Sequence, residues 1–315
     1  MQWQTNDTVR YVGIPVLASI VIYVVSSSAF LSILPLLLVF EKVQPVRKFL
    51  YGVAAVILFV IGFHAVQLAN VLQDGQNTGL LIVGLYTPLS MLVASGIWIA
   101  TYGRKNIERF FYSISFAVVA GFAMLIWLLG NSASASRTLE VYNDILSSFM
   151  TVFVQQQVQV MSAQELGAFV GSVIGKLGLP FITGQFGLAL LISEVIKRRN
   201  SPSLEQSLVH WSIPHQSIWV LLSGMSAVLI SYVADSVLLE NVAYNITGVV
   251  ALLYAVQGLS IATYLLKRKF EQIRVVRMFF LGIVLMILPG ANVVFIIALP
   301  LLGVSETWIT YRKNE

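Results

Sequence analysis

The chain of 315 residues contains no cysteine. This absence excludes disulfides, thiol catalysis and cysteine-ligated metal sites. Charged side chains are scarce, at 10% of the residues, compared with about 25% in an ordinary soluble domain. The sequence also lacks the phosphate-binding pattern G-x-x-x-x-G-K-[ST], the zinc pattern H-E-x-x-H and the nucleophile pattern G-x-S-x-G. We therefore expect neither an enzyme nor a protein that needs a metal or another cofactor.

Apolar residues dominate the sequence instead. They make up 57% of the chain, and the mean hydropathy is +0.84. A soluble core of this size could not bury that much apolar surface, so a lipid bilayer must act as the solvent. Helices are the elements that satisfy their backbone hydrogen bonds inside lipid without neighbouring chains. The composition predicts an all-α, polytopic transmembrane bundle in a single integral membrane domain over residues 1–315.

The apolar runs predict eight or ten membrane segments. Six runs are long enough to cross a bilayer, which takes about 20 residues: Phe49–Leu72, Gly79–Tyr102, Phe110–Gly130, Leu177–Ile196, Ile218–Ala234 and Val242–Leu266. A pair of short runs precedes them, Tyr11–Ser26 and Ala29–Phe40, separated by three serines. The last run, Met278–Trp308, is broken by Pro289 to Asn292. Each short pair is either two short helices or one distorted element, which gives ten or eight segments.

Lysine and arginine are concentrated in alternate connections between these runs. Seventeen of the 19 basic residues lie there, namely Arg10, Lys42, Arg47, Lys48, Arg104, Lys105, Arg109, Lys197, Arg198, Arg199, Lys267, Arg268, Lys269, Arg274, Arg277, Arg312 and Lys313. Only Arg137 and Lys176 fall in the other connections. Cytoplasmic loops carry such an excess, so both termini are predicted to be cytoplasmic. The net charge of +5 is then explained by anionic lipid, and no nucleic-acid partner is expected.

Residues 131–176 differ from the rest in their mixed polarity. Apolar residues recur there at helical spacing, which predicts amphipathic helices in an external insertion. Gly167, Gly171 and Gly175 form two overlapping G-x-x-x-G units. Small residues at this spacing allow close helix contacts, so they predict a tight packing seam or a homodimer seam. A weak helix is the alternative, because glycine disfavours helix interiors.

Few polar side chains interrupt the predicted spans, and each is a candidate for binding a solute. The candidates are His64, Gln67, Asn70, Gln185, Asn245 and Gln257. The first three share one helical face in the outer half of their span. Hydrogen bonding between helices is the alternative role for all six. Glu194 and Glu306 lie beside basic residues near cytoplasmic ends, where ion pairs are expected.

Two stretches of the C-terminal half carry a family resemblance. Asn245 to Val250 and Tyr254 to Leu259 include a Gln-Gly pair, and Leu301 to Lys313 contains Leu-Gly, an acidic residue, Trp, an aromatic residue and Arg-Lys. These motifs resemble the YybS-like family of uncharacterised bacterial membrane proteins, over roughly residues 140 to 313. That family is related to the substrate-binding S components of energy-coupling-factor transporters. The resemblance implies a bacterial cytoplasmic (inner) membrane protein, an S-component-like core with extra helices, and a small-molecule pocket near the outer face.

Two functional hypotheses follow. The first is a membrane protein that binds a small, mostly apolar solute from the outer side for uptake or transport. The second is a scaffold or assembly subunit of a larger membrane complex, with another membrane protein as its partner. The lipid bilayer is the expected environment in both cases.

Overall fold

The computed structural model describes residues 9–42, 46–69, 78–130, 163–198, 201–270, 272, 274–287 and 291–312. These residues form helices and no strands, which confirms the all-α prediction. The helices are α1 Ile14–Ser26, α2 Ala29–Val39, α3 Val46–Ala69, α4 Thr78–Ala100, α5 Asn106–Gly130, α6 Ala163–Lys197, α7 Pro202–Val209, α8 Ser217–Ala234, α9 Val237–Lys269, α10 Val275–Ile287 and α11 Ala291–Ser305. A π-helical turn, Val9–Gly13, leads into α1.

Five of the helices are long and apolar enough to cross a membrane: Val46–Val66, Asn106–Met124, Gly175–Lys197, Ser217–Ala234 and Val237–Lys269. Five shorter apolar stretches accompany them: Arg10–Ser26, Ala29–Val39, Gly84–Ala100, Val275–Met286 and Val293–Ser305. Both short pairs predicted from the sequence are therefore two helices each. In the part of the chain that the structure describes, these ten apolar stretches agree with the ten-segment alternative.

The chain divides into two compact units, Met1–Ser193 and Glu194–Glu315. In the first unit α1 packs against α2 and α3, both α2 and α3 pack against α4, and α4 packs against α5. Phe186 of α6 stacks on Phe110 of α5 at 6.0 Å between ring centroids and meets the ring of Trp98 on α4 edge to face. Aromatic packing therefore joins α6 to the α4–α5 pair.

The serine-rich break between α1 and α2 lies where the sequence predicts it. Ser27 adopts a left-handed conformation, with φ of +50°, and this ends α1. The Oγ of Ser28 then accepts a hydrogen bond from the N–H of Leu31 at 3.4 Å, and this caps the start of α2. Ser27 and Ser28 therefore end one helix and begin the next.

Helix α6 is longer than its predicted span of Leu177–Ile196. It begins at Ala163, so Gly167, Gly171 and Gly175 belong to the same helix as the span. The helix crosses the predicted boundary between Lys176 and Leu177 without a break, and it continues through Pro180. The remainder of the predicted external insertion, residues 131–162, lies outside the described residues, as do the surroundings of Gly167 and Gly171.

Helix α9 is the centre of the second unit. It packs against α8, α11, α10 and α7, and its middle residues are buried from Val249 to Ile261 with few exceptions. Gly258 of α9 and Gly303 of α11 meet at the crossing of these two helices. Small residues at a crossing let two backbones approach closely in a membrane.

Candidate functional site

A cavity of about 410 Å³ lies in the first unit, beside the break between α1 and α2. Its volume is within the usual range for small-molecule sites, about 300–1,000 Å³. It is lined by Tyr23, Ser26, Ser27, Ser28, Ala29, Phe30, Phe63, His64, Gly84, Thr87, Pro88 and Gln185. These residues come from the end of α1, the start of α2, the last turns of α3, the first half of α4 and the middle of α6. The cavity is therefore a meeting point of five helices.

Tyr23 and His64 form a hydrogen-bonded pair in the cavity wall. The distance between the Tyr23 hydroxyl and Nε2 of His64 is 2.6 Å. Phe63 holds both rings edge to face, with centroid distances of 6.0 Å to Tyr23 and 6.2 Å to His64. Tyr23 is buried, and His64 is half-buried. The pair links α1 to α3 and fixes the orientation of the imidazole.

Two of the six predicted binding residues meet in this cavity. His64 and Gln185, 121 positions apart in the sequence, both line it. Gln67 lies in α3, but its side chain falls outside the described residues, and so does Asn70. The structure describes one member of the predicted His64, Gln67 and Asn70 face, and it adds a partner, Tyr23, that the sequence did not indicate.

Gln257 belongs to a different site, a buried polar cluster in the second unit. Its Oε1 accepts a hydrogen bond from the N–H of Ile213 at 3.0 Å. Its Nε2 donates to the carbonyl oxygen of Gly303 at 3.2 Å and to Oε2 of Glu306 at 2.9 Å. The oxygen and the N–H groups of the carboxamide thus join α9, the end of α11 and the α7–α8 connection. This is the alternative role that the sequence left open for Gln257.

Arg312 completes the cluster from the C-terminal side. Its Nε donates to Oε1 of Glu306 at 2.7 Å, and its Nη2 pairs with the other carboxylate oxygen. Its Nη1 donates to the carbonyl oxygens of Val209 at 2.8 Å and Trp211 at 2.9 Å. The hydroxyl of Ser260 donates to the Val209 carbonyl as well, at 2.8 Å. Arg312 therefore neutralises Glu306 and caps the C-terminal end of α7.

The expected ion pairs at the two glutamates are confirmed. Glu306 pairs with Arg312, and both side chains are nearly buried, at 11% and 7% exposed. Glu194 pairs with Lys197 at 3.0 Å and with Arg198 at 2.9 Å in a more exposed setting. Asn245 lies on α9, where its Nδ2 donates to the carbonyl oxygen of Asn241 at 2.7 Å.

A third polar feature, in the first unit, is the buried guanidinium of Arg109. It lies over the indole of Trp98 at 3.9 Å from the ring centroid. Its Nη2 donates to the carbonyl oxygen of Trp98 at 2.8 Å, and its Nη1 donates to Oδ1 of Asn106 at 3.3 Å. The side chain therefore ties the last turns of α4 to the start of α5 through a hydrogen bond and a cation–π contact.

The family model for predicted membrane proteins named DUF2232 matches residues 16–300. The chain belongs to the DUF2232 family. This membership agrees with the apolar helices in identifying a protein of the lipid bilayer. The DUF2232 chain has no significant match among curated proteins or among solved structures.

Sequence reasoning assigned no packing or site role to Tyr23, Arg109 or Arg312 of this DUF2232 protein. Tyr23 lies in an apolar helix, where a tyrosine is usually an ordinary residue of the core or of the membrane interface. Its position one turn before Ser27 was the available signal, because a helix break exposes the last turn to a cavity. Arg312 was counted with the solvated cytoplasmic charges, and so was Arg109. The structure corrects this, since their exposed fractions are 8% and 6%.

Proposed function

We propose that this DUF2232 protein binds a small solute in the cavity of the first unit, as the recognition step of uptake across a bacterial cytoplasmic membrane. The observation that carries the proposal is the cavity itself, where a helix break, the Tyr23–His64 pair and Gln185 meet. Discontinuous helices at membrane depth are a common way for transporters to present polar groups to a solute.

The distribution of basic residues supports an outward opening of this cavity. With both termini cytoplasmic, α1 runs outward and ends at Ser26, α3 ends on the outer side after His64, and α4 begins there before Gly84. The cavity then faces the outer half of the bilayer. The resemblance to the YybS-like family, which is related to S components, supports the same arrangement, because S components bind their solutes near the outer face.

The lining favours binding over catalysis. Apart from the Tyr23–His64 pair, its polar side chains are serines, Thr87 and Gln185. Among the residues that the structure describes, no three His, Asp or Glu side chains are grouped so that they could hold a metal ion. Hydroxyl and carboxamide groups orient a bound molecule by hydrogen bonding. We therefore propose a binding protein and not an enzyme.

Filling the cavity tests the proposal. An ideal Cβ at Gly84 has no heavy atom within 4 Å, so Gly84→Phe directs a ring into the open space. The matched control is Gly62→Phe, on an exposed position of α3 that also has open space around its Cβ and does not line the cavity. Purified wild type and both variants are screened by thermal stabilisation against small metabolites of neutral, anionic and cationic type.

We expect at least one solute to stabilise the wild type and the Gly62→Phe protein but not the Gly84→Phe protein. A solute that stabilises all three binds elsewhere. A screen without any binder would count against solute recognition and leave the scaffold hypothesis. Native extraction would then have to show a co-purifying membrane protein. Flux of the identified solute into proteoliposomes separates uptake by this chain alone from binding that needs a partner.

A further inference from the structure

We infer that the cavity of the first unit selects an uncharged, ring-containing solute that carries a hydrogen-bond donor and an acceptor side by side, such as a carboxamide. The inference rests on the proposed function, since it names the solute class of that same site. Three features of the lining lead to it: the absence of fixed charge among its described residues, the amphoteric Tyr23–His64 pair, and an apolar wall.

The first feature is electrical. Among the described residues that line the cavity there is no Asp, Glu, Lys or Arg. A charged solute leaving water for a membrane interior loses its hydration, and this loss is compensated only by an opposite charge or by many hydrogen bonds. The described lining supplies no counter-charge of either sign apart from the titratable imidazole of His64. A neutral solute avoids this cost.

The second feature is the hydrogen-bond inventory of the Tyr23–His64 pair. A neutral imidazole has one N–H and one acceptor nitrogen, and a phenol has one O–H and acceptor lone pairs. One hydrogen is used in the 2.6 Å bond between them. If Tyr23 donates, Nδ1–H of His64 remains as a donor and the phenol oxygen as an acceptor. If His64 donates, the phenol O–H remains as a donor and Nδ1 as an acceptor.

In both tautomers the pair therefore retains one donor and one acceptor, and both residues line the cavity. Gln185, half-buried in the same lining, offers the same combination through its carboxamide. A solute group that is only an acceptor, such as a carboxylate, leaves the acceptors of the wall without a donor. A group that only donates, such as an ammonium, leaves the acceptors matched and the donors unpaired. A carboxamide, a lactam or a ureide satisfies both.

The third feature is the apolar part of the lining. Phe30, Phe63 and Pro88 line the same cavity, and Phe63 is held in place by the ring of Phe59, stacked at 6.0 Å. Flat aromatic faces and a proline ring pack well against another ring. The solute class is therefore a ring that bears the neutral donor–acceptor group.

A matched set of indole-3-acetamide, indole-3-acetate and tryptamine tests the charge requirement. At neutral pH these probes are neutral, anionic and cationic, and they have nearly the same size and ring. Binding to the purified full-length protein in nanodiscs is measured by calorimetry and by thermal stabilisation. We expect the acetamide to bind at least about tenfold more tightly than either charged probe, which is the scale of one well-placed hydrogen bond.

Two substitutions at His64 test the donor–acceptor requirement. His64→Gln keeps a donor and an acceptor at this position, whereas His64→Leu has similar bulk and neither. We expect affinity for the acetamide to fall about tenfold or more in His64→Leu and to stay within about threefold in His64→Gln, since the lost hydrogen bond is the difference between them. Far-ultraviolet circular dichroism and gel filtration confirm that both variants are folded before they are compared.

The outcomes separate this inference from the proposed function. Tighter binding of the acetate or the tryptamine, or a metabolite screen whose cavity-blocked binders are all ions, overturns the neutral class while solute binding stands. Equal loss in His64→Gln and His64→Leu overturns the donor–acceptor requirement. If no probe binds and the metabolite screen also has no binder sensitive to Gly84→Phe, the proposed function fails and this inference fails with it.

Discussion

Gly258 of α9 and Gly303 of α11 lie back to back. A methyl group added to Gly258 would overlap the carbonyl oxygen of Leu299, and one added to Gly303 would overlap the carbonyl oxygen of Tyr254. Neither oxygen belongs to a flexible side chain, so the two helices would have to move apart. The crossing therefore depends on the absence of a Cβ at both positions. The neighbouring Gln257 can reach the carbonyl oxygen of Gly303 because the two helices are this close.

We expect Gly303→Ala to destabilise the protein by about 1–3 kcal/mol, the usual cost of overpacking a tight contact. Moving α11 away from α9 also lengthens the hydrogen bond from Gln257 to the Gly303 carbonyl. The measurement is thermal unfolding in detergent, followed by intrinsic fluorescence and by gel filtration of heated samples.

The matched control is Gly62→Ala, an exposed helical glycine whose Cβ would have open space. Alanine is the better helix former by up to about 1 kcal/mol, so this variant should be as stable as the wild type or slightly more so. A Gly303→Ala protein that unfolds at the same temperature as Gly62→Ala would show that the crossing tolerates a methyl group.

Arg312 is expected to be the most sensitive residue of the C-terminal segment. Replacing it by alanine leaves the Glu306 carboxylate nearly buried without its cation, and removing one partner of a buried pair costs about 3–5 kcal/mol. The same change uncaps the carbonyl oxygens of Val209 and Trp211. We expect loss of folded protein, or a large decrease of the unfolding temperature.

Arg312→Lys refines this test. Lysine carries charge but cannot reach a carboxylate and two carbonyl groups at once, because it lacks the guanidinium fork. Arg312→Lys should therefore be destabilised as well. Arg268→Lys, at an exposed position of α9, should behave like the wild type. If Arg312→Lys did too, charge alone would account for the role of Arg312.

Helix existence was largely predictable from the sequence, and side-chain pairing was not. Apart from α6, which begins well before its predicted start at Leu177, the apolar runs became helices within a few residues of their predicted ends, because hydropathy and helix breakers such as Ser26–Ser28 act locally. The Tyr23–His64 bond joins residues 41 positions apart, and the bonds of Arg312 to Val209 and Trp211 span about a hundred positions. Apolar helices are nearly uniform around their circumference, so the sequence does not tell which helices are neighbours.

Arg109 and Arg312 show that the sequence also does not tell which charged side chains are buried. Their sequence positions, in a basic turn and in a basic terminus, are typical of solvated cytoplasmic residues. The structure instead turns each guanidinium onto carbonyl oxygens at a helix end, where the helix dipole also favours a cation. A count of lysines and arginines indicates the side of the membrane but not which of them the fold uses.

For Arg109 we expect a loss of stability of about 1.5–3 kcal/mol on substitution by glutamine, the usual value of a hydrogen bond from a charged group. The cation–π contact with Trp98 is lost in the same variant. Lys105→Gln is the matched control, since Lys105 is an exposed basic residue of the same turn. Equal unfolding temperatures of the two variants would show that the Arg109 contacts do not stabilise the α4–α5 connection.

The orientation of α9 in the membrane gives the last prediction. Its first turn contains Glu240, and its last turn contains Lys267, Arg268 and Lys269. The positive-inside rule predicts that its C-terminal end is cytoplasmic. Because the chain has no cysteine, single cysteines can be introduced without first removing native ones. The positions are Val237→Cys and Arg268→Cys, both exposed, at opposite ends of α9.

In intact cells a membrane-impermeant maleimide should label Val237→Cys and leave Arg268→Cys unlabelled, while both react after the membrane is permeabilised. The cysteine-free parent protein sets the background. With the number of segments that the sequence predicts between α1 and α9, the reverse pattern would place the Ser26–Ser28 break and the cavity on the cytoplasmic side. A solute would then reach Tyr23 and His64 from the cytoplasm, and the proposal of uptake from outside would be wrong even if the solute class were right.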